Sequence, residues 1–124
     1  MTTRKAKKVK RDLVVNKFCQ KRVLITGGAG FVGSHLAQKL VPVCKELISL
    51  DNYISGRVEN HISGVSYIEG QVADIVEIFG SKEFDFIFHF GEYSRVEQSL
   101  VEPHVALSNI YKPFSSLLNH SLYI

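Results

Sequence analysis

A doubly wound α/β fold on a parallel sheet of about four strands is what this sequence predicts, and three observations carry the prediction. Short runs of β-branched and aliphatic residues recur without polar alternation, as strands do when helices cover both faces of their sheet. Segments with helical apolar spacing fall between those runs, and alternating strand and helix is the pattern of a parallel sheet. Glycines stand at the joins, where the chain turns from one element into the next.

Taken in order, residues 22–26 (Arg-Val-Leu-Ile-Thr) read as a short buried strand that stops at Gly27. A helix follows, with Phe31, Val32, Leu36 and Leu40 at helical spacing and Pro42 as its stop, because proline disfavours helix at the residue before it. The run 47–50 (Leu-Ile-Ser-Leu) is a second strand ending on Asp51, which completes a βαβ unit. Residues 52–64, polar and rich in Gly, Asn and Ser, read as a loop with room for one helical turn. A third strand spans 65–69. Val72, Ile75, Val76 and Phe79 then form a short amphipathic helix closed by Gly80. A fourth strand covers the intensely apolar 86–90, and a last helix starts near Pro103.

The 124 residues suffice for one domain with a core, and 45% apolar against 22% charged residues is globular composition. No run approaches the roughly 18 apolar residues of a membrane helix. The net charge of +3 hides a division: residues 1–22 carry nine Lys or Arg against Asp12, whereas the remainder is acidic. The chain therefore divides into a basic tail, 1–21, and a domain, 22–124. Arg4, Lys5, Lys7, Lys8, Lys10 and Arg11 are a cationic run able to touch an anionic surface, but short charged tails are mostly solvated and disordered, and nucleic acid is not an expected partner. The apolar stretch 13–15 is too short for a secretory signal; a transit peptide stays open, although the tail is Lys-rich where transit peptides are Arg- and Ser-rich. Cys19 and Cys44 stand far apart with no metal-ligand spacing, so no disulfide framework and no metal are predicted and a cytoplasmic setting fits. His35 and His89 read as structural.

The strongest motif is residues 26–34, Thr-Gly-Gly-Ala-Gly-Phe-Val-Gly-Ser, with Gly27, Gly30 and Gly33 spaced by three between a predicted strand and helix. In that position Gly27 permits a sharp turn, Gly30 lets a pyrophosphate approach the backbone, and Gly33 lets the helix pack closely on the sheet. The amides of Phe31 and Val32 would face the phosphates at the positive end of the helix dipole. Asp51, 18 residues beyond Gly33, ends the second strand where a carboxylate accepts hydrogen bonds from an adenosine ribose. It would repel a 2′-phosphate, so NAD is expected over NADP. Arg57, basic in a polar loop, reads as solvated.

Strand, glycines, helix and acid together resemble the extended short-chain dehydrogenases/reductases, in particular the NAD-dependent sugar-nucleotide epimerases and dehydratases of UDP-glucose 4-epimerase type, with a partial Rossmann fold. The resemblance covers about residues 22–110. It implies that Phe31 and Val32 hold the pyrophosphate and that Asp51, Asn52, Tyr53, Ser55 and Gly56, with Asn60 nearby, form the adenosine loop. Gln71 and Val72 match an Asp and an apolar residue that flank the adenine; Gln71 offers a carbonyl in place of the acid. Phe90 and Gly91 match a Leu-Ala pair lining the cofactor, and Asn109 an Asn late in the following helix.

The family's chemistry uses a Ser or Thr on a fifth strand and a Tyr-x-x-x-Lys pair, and neither is present. Four places after Tyr53, Tyr67, Tyr93 and Tyr111 stand Arg57, Gln71, Glu97 and Ser115. No catalytic residue is therefore assigned. Lys112-Pro113 also replaces the family's Gly-Thr. In the family's strand order 3-2-1-4-5, the lack of a fifth strand would leave the fourth as an apolar edge. The resemblance implies a nucleotide sugar as substrate of full-length relatives and a homodimer through the helix near residues 100–120. The expected function is the NAD-binding portion of such an enzyme, truncated and inactive alone. The alternatives are a small NAD-sensing or interaction module and a non-functional remnant.

Overall fold

The computed structural model describes residues 4–8 and 17–91. The predicted helix near Pro103, the proposed dimer segment and Asn109 lie outside them. Residues 4–8, within the basic run, are helical and exposed, so the disorder expected of the tail gives way there to a helical turn.

Four strands form one sheet: β1 (Arg22–Thr26), β2 (Glu46–Asp51), β3 (Ser66–Glu69) and β4 (Phe86–His89). Their order is β3-β2-β1-β4 and every pairing is parallel. Leu24 pairs with Ile48 on one side and Ile87 on the other, which places β1 at the centre. Helix α1 (Phe31–Leu40) joins β1 to β2, and α2 (Ile75–Phe79), entered through a 3-10 turn at Val72–Asp74, joins β3 to β4.

The uninterrupted apolar strands follow from two cores, one on each face. Val23, Ile25 and Leu47 pack with Ala37 and Leu40 of α1, joined by Phe18, Phe86 and Phe88. Leu24, Ile48 and Leu50 pack with Val72 and Ile75 on the opposite face. Alternation along β2 puts Ser49 and Asp51 on the Leu47 side, toward the loop that enters α1. β4 is half-buried along its length, and Phe18 meets Phe86 edge-on at 4.9 Å between centroids.

One expectation about α1 is corrected. Its buried face is Gly33, Ser34, Ala37 and Leu40, whereas Phe31 and Val32 are 77% and 57% exposed. Close packing of the first helical turn admits only small residues, so the bulky pair is turned outward. The loop 52–64 contains the single turn that its composition allowed, a 3-10 turn at Val58–Asn60. The fourth strand ends at His89, one residue short of the predicted run.

Candidate dinucleotide-binding site

At the C-terminal ends of β1 and β2, the glycine loop turns into α1. Gly27 has φ +74°, in the left-handed region, and its N–H donates to Leu50 O at 2.8 Å. A Cβ on Gly27 would press on the backbone of Phe90 and Gly91, one on Gly28 would enter the Ser49 side chain, and one on Gly33 would overlap the Gly27 carbonyl. Gly30 differs from these three. It is extended (φ −81°, ψ 178°), and a Cβ there would meet only Gly27 O, at 3.2 Å. Gly30 also occupies the N-cap of α1, where no side chain satisfies the first helical N–H groups. Those groups and the dipole behind them suit an anion.

Asp51 is 7% exposed, and both of its carboxylate oxygens hold backbone. Oδ2 accepts Ala29 N–H at 3.0 Å and Oδ1 accepts Tyr53 N–H at 2.8 Å. Each oxygen has a further lone pair. The Ala29 carbonyl in turn accepts Arg57 N–H at 3.0 Å and Asn60 Nδ2 at 2.8 Å. Ala29 thereby stitches the glycine loop to the loop after β2. Gly56 lies against the carboxylate, where a Cβ would come within 2.7 Å of Oδ2.

Asn52 Oδ1 accepts Ile54 N–H at 3.0 Å, and its Nδ2 donates to Gln71 Oε1 at 3.3 Å. The Gln71 carbonyl suggested for adenine is thus already engaged once. Ser55 is exposed, whereas Val72, expected beside the adenine, has its side chain in the core. Tyr53 has φ 59°, and its hydroxyl shares a 2.7 Å hydrogen bond with His61 Nε2. Partial burial, followed by the charges of Asp51, Tyr67 and Glu69, raises the Tyr53 pKa above the ordinary phenol value.

The exit of β4 closes the other side of the glycine loop. Thr26 Oγ1 accepts Gly91 N–H at 3.1 Å and shares a 2.6 Å hydrogen bond with His89 Nδ1. Phe90 N–H donates to Thr26 O at 3.0 Å, and its exposed ring lies 6.5 Å from that of Phe88. The structure therefore brings together Gly27, Gly30, Phe31, Val32, Gly33, Asp51, Asn52, Tyr53, Gly56 and Gln71 around the ends of β1 and β2, with Phe90 and Gly91 adjoining. Sequence reasoning missed Thr26, Gly28, Ala29, Ser49, His61 and Tyr67. Only Gly28, the second of a Gly-Gly pair, carried a local signal. A recess of about 250 Å³ lined by Gln20, Arg22, Lys45 and Asp85 lies at the opposite end of β1 and is separate from this site. Among the described residues no three His, Cys, Asp or Glu side chains gather as metal ligands, and no helix is long and apolar enough to cross a membrane.

Comparison with known proteins agrees with this geometry. The family model described as NAD dependent epimerase/dehydratase matches residues 23–119. A UDP-glucose 4-epimerase of Streptomyces lividans is 37% identical over 86 residues, 66% of this chain and 26% of that protein. The crystal structure of the Thermotoga maritima UDP-glucose 4-epimerase with UDP-glucose superposes with a TM-score of 0.76 at 32% identity, covering 82% of this chain and 34% of the other. The Thermus thermophilus UDP-glucose 4-epimerase, solved with NAD, gives 0.72 at 29% identity, covering 80% of this chain and 33% of the other. The chain thus spans about a quarter of the curated relative and a third of each solved chain. With strands, glycine loop and terminal acid all in the family's order, the chain belongs to the NAD dependent epimerase/dehydratase family.

Proposed function

We propose that this chain is the NAD-binding portion of a sugar-nucleotide epimerase or dehydratase. The observation that carries the reading is Gly30. A Cβ at Gly27, Gly28 or Gly33 would come closer than 3.0 Å to protein atoms, whereas at Gly30 it would meet a single backbone oxygen, Gly27 O, at 3.2 Å, which a shift of a few tenths of an ångström relieves. A glycine that the fold demands less than its neighbours, at the uncapped start of a helix, is accounted for by a ligand that approaches the backbone.

The amides of Phe31 and Val32 would hold the pyrophosphate, and the remaining lone pairs of Asp51 the ribose hydroxyls. Asn52, Ser55, Gly56 and the Tyr53 backbone would surround the adenosine, with Gln71 and the Val72 backbone toward the adenine and Phe90 and Gly91 toward the nicotinamide half. The carboxylate disfavours a 2′-phosphate by charge, so NAD is bound over NADP. NAD, when bound, supplies a hydride acceptor for a sugar carbon. The acid-base part of such a reaction needs a group this sequence does not contain at the family's spacing, and its absence removes a factor of roughly 10² to 10⁴ in rate. These 124 residues alone therefore bind without turnover. The nucleotide sugar, inferred from the relatives, belongs to the longer enzymes, as does pairing through residues 100–120, and the setting is cytoplasmic.

Calorimetry with NAD and NADP tests the reading, with Gly30→Val as the control that fills the space beside the phosphates. NAD bound more tightly than NADP, and neither bound by Gly30→Val, is the expected result. Preference for NADP, or unchanged affinity in the variant, overturns it. Turnover of UDP-, GDP- or dTDP-sugars above that control would refute the assignment of no catalytic residue.

A further inference from the structure

The loop between β2 and β3 carries a side-chain cluster that has no part in holding the phosphates. The Tyr53 hydroxyl and His61 Nε2 lie 2.7 Å apart. His61 stacks flat on Tyr67, with centroids 3.7 Å apart and planes 6° from parallel. Tyr67 is a residue of β3, held in register opposite Ser49, and its hydroxyl accepts Ile62 N–H at 2.7 Å. A line of side-chain contacts thus runs from the sheet, through Tyr67 and His61, to Tyr53.

At the far end of that line is Asp51. Tyr53 has φ 59°, a conformation that residues with side chains seldom adopt and that persists only when surrounding structure maintains it. In this conformation its N–H reaches Asp51 Oδ1 at 2.8 Å. With Oδ2 held by Ala29 N–H, the carboxylate is fixed at both oxygens. Release of the Tyr53 side chain frees the loop to relax to a commoner backbone conformation, and one of the two restraints on Asp51 is then lost.

We infer that Tyr53 and His61, braced on Tyr67, are positioning residues that hold the Asp51 carboxylate in the orientation selecting a dinucleotide with an unsubstituted adenosine ribose. The inference rests on the NAD-binding reading and adds to it the residues that set its selectivity. Neither side chain needs to touch the ligand. The effect is transmitted through the Tyr53 amide, and the part that matters is the hydrogen bond between phenol and imidazole, which glutamine at position 61 can also accept.

The test uses the full 124-residue chain and titrates NAD, NADP and AMP into wild type, Tyr53→Phe, His61→Ala and His61→Gln, with melting temperatures recorded for each. Tyr53→Phe and His61→Ala should weaken NAD and AMP about three- to tenfold, the value of one hydrogen bond, and should narrow the NAD to NADP preference because a freed carboxylate can swing away from a 2′-phosphate. His61→Gln should recover most of the loss. Tyr53→Phe removes a single oxygen and keeps the ring, so it separates positioning from folding. A cluster that serves stability alone would lower the melting temperature and leave the NAD to NADP ratio unchanged, which overturns the inference. So does a His61→Gln variant as weak as His61→Ala. Wild-type chain that fails to bind NAD defeats the underlying reading as well, whereas wild-type binding with unaltered variants defeats this inference alone.

Discussion

Gly33→Ala sets a gain in helix propensity against a steric loss. Alanine is favoured over glycine inside a helix by about 1 kcal/mol, and somewhat less in the first turn, where Gly33 stands. The new Cβ would overlap Gly27 O and come within 2.8 Å of Gly28 Cα. Neither neighbour can yield easily: Gly27 already faces Gly91 and Phe90, and Gly28 already faces Ser49. Overpacking costs about 1–3 kcal/mol, and backbone against backbone lies at the upper end. The net loss is then about 1–2 kcal/mol, which for a domain of this size lowers the melting temperature by roughly 5–15 °C. Gly30→Ala is the internal control. It meets one atom at 3.2 Å in an unstrained conformation, and its cost stays below about 1 kcal/mol, from a poorer N-cap and a small shift of Gly27 O. Urea and thermal unfolding followed by circular dichroism would measure both variants. Gly33→Ala as stable as wild type, or Gly30→Ala losing as much, would refute the division between a glycine the fold strictly requires and one it demands far less.

Asp51→Asn places an amide where two backbone N–H groups need acceptors, so one of them faces a donor; a loss of about 1.5–3 kcal/mol in unfolding free energy is expected, together with weaker NAD binding. For Tyr53 the folded pKa lies above the ordinary value of 10.0, so the fold favours the protonated phenol. Its contribution is fully present below that value and is lost as pH rises through the raised one. Urea midpoints between about pH 8 and 11 should therefore fall at the alkaline end in wild type and fall less in Tyr53→Phe.

The two central strands could be read from sequence because each lies between two apolar layers, which imposes uninterrupted runs such as 23–25 and 47–48. Asp51 could be read because an acid closing the strand that follows a glycine loop and its helix stands where this fold holds a ribose. Periodicity failed at Phe31 and Val32, since it ranks residues by apolarity and takes no account of how near the backbone behind them lies. There the helix presses Gly33 and Ser34 inward and leaves the large side chains in solvent. The contacts of Ala29, Tyr53 and His61 were not legible for a different reason. They join residues 22, 31 and 8 positions apart across irregular backbone, and no repeat marks those distances.

Three glycines within residues 27–30 would make a costly loop to order, because glycine loses more backbone freedom on folding than any other residue. The single non-glycine among them answers that cost. Ala29 is fully buried, and its peptide groups make three hydrogen bonds to the segment 51–60. The loop that would face the phosphates is therefore held by the same residues that surround Asp51. Movement of one must be felt by the other, because Asn60 Nδ2, Arg57 N–H and the Asp51 carboxylate all converge on that one alanine. A dinucleotide engaging both would find the two halves of its site already fixed relative to each other, which lowers the entropy lost on binding. It is then the bonds of Ala29, rather than the glycines that flank it, that hold the loop in one shape and would preorganise it for such a ligand.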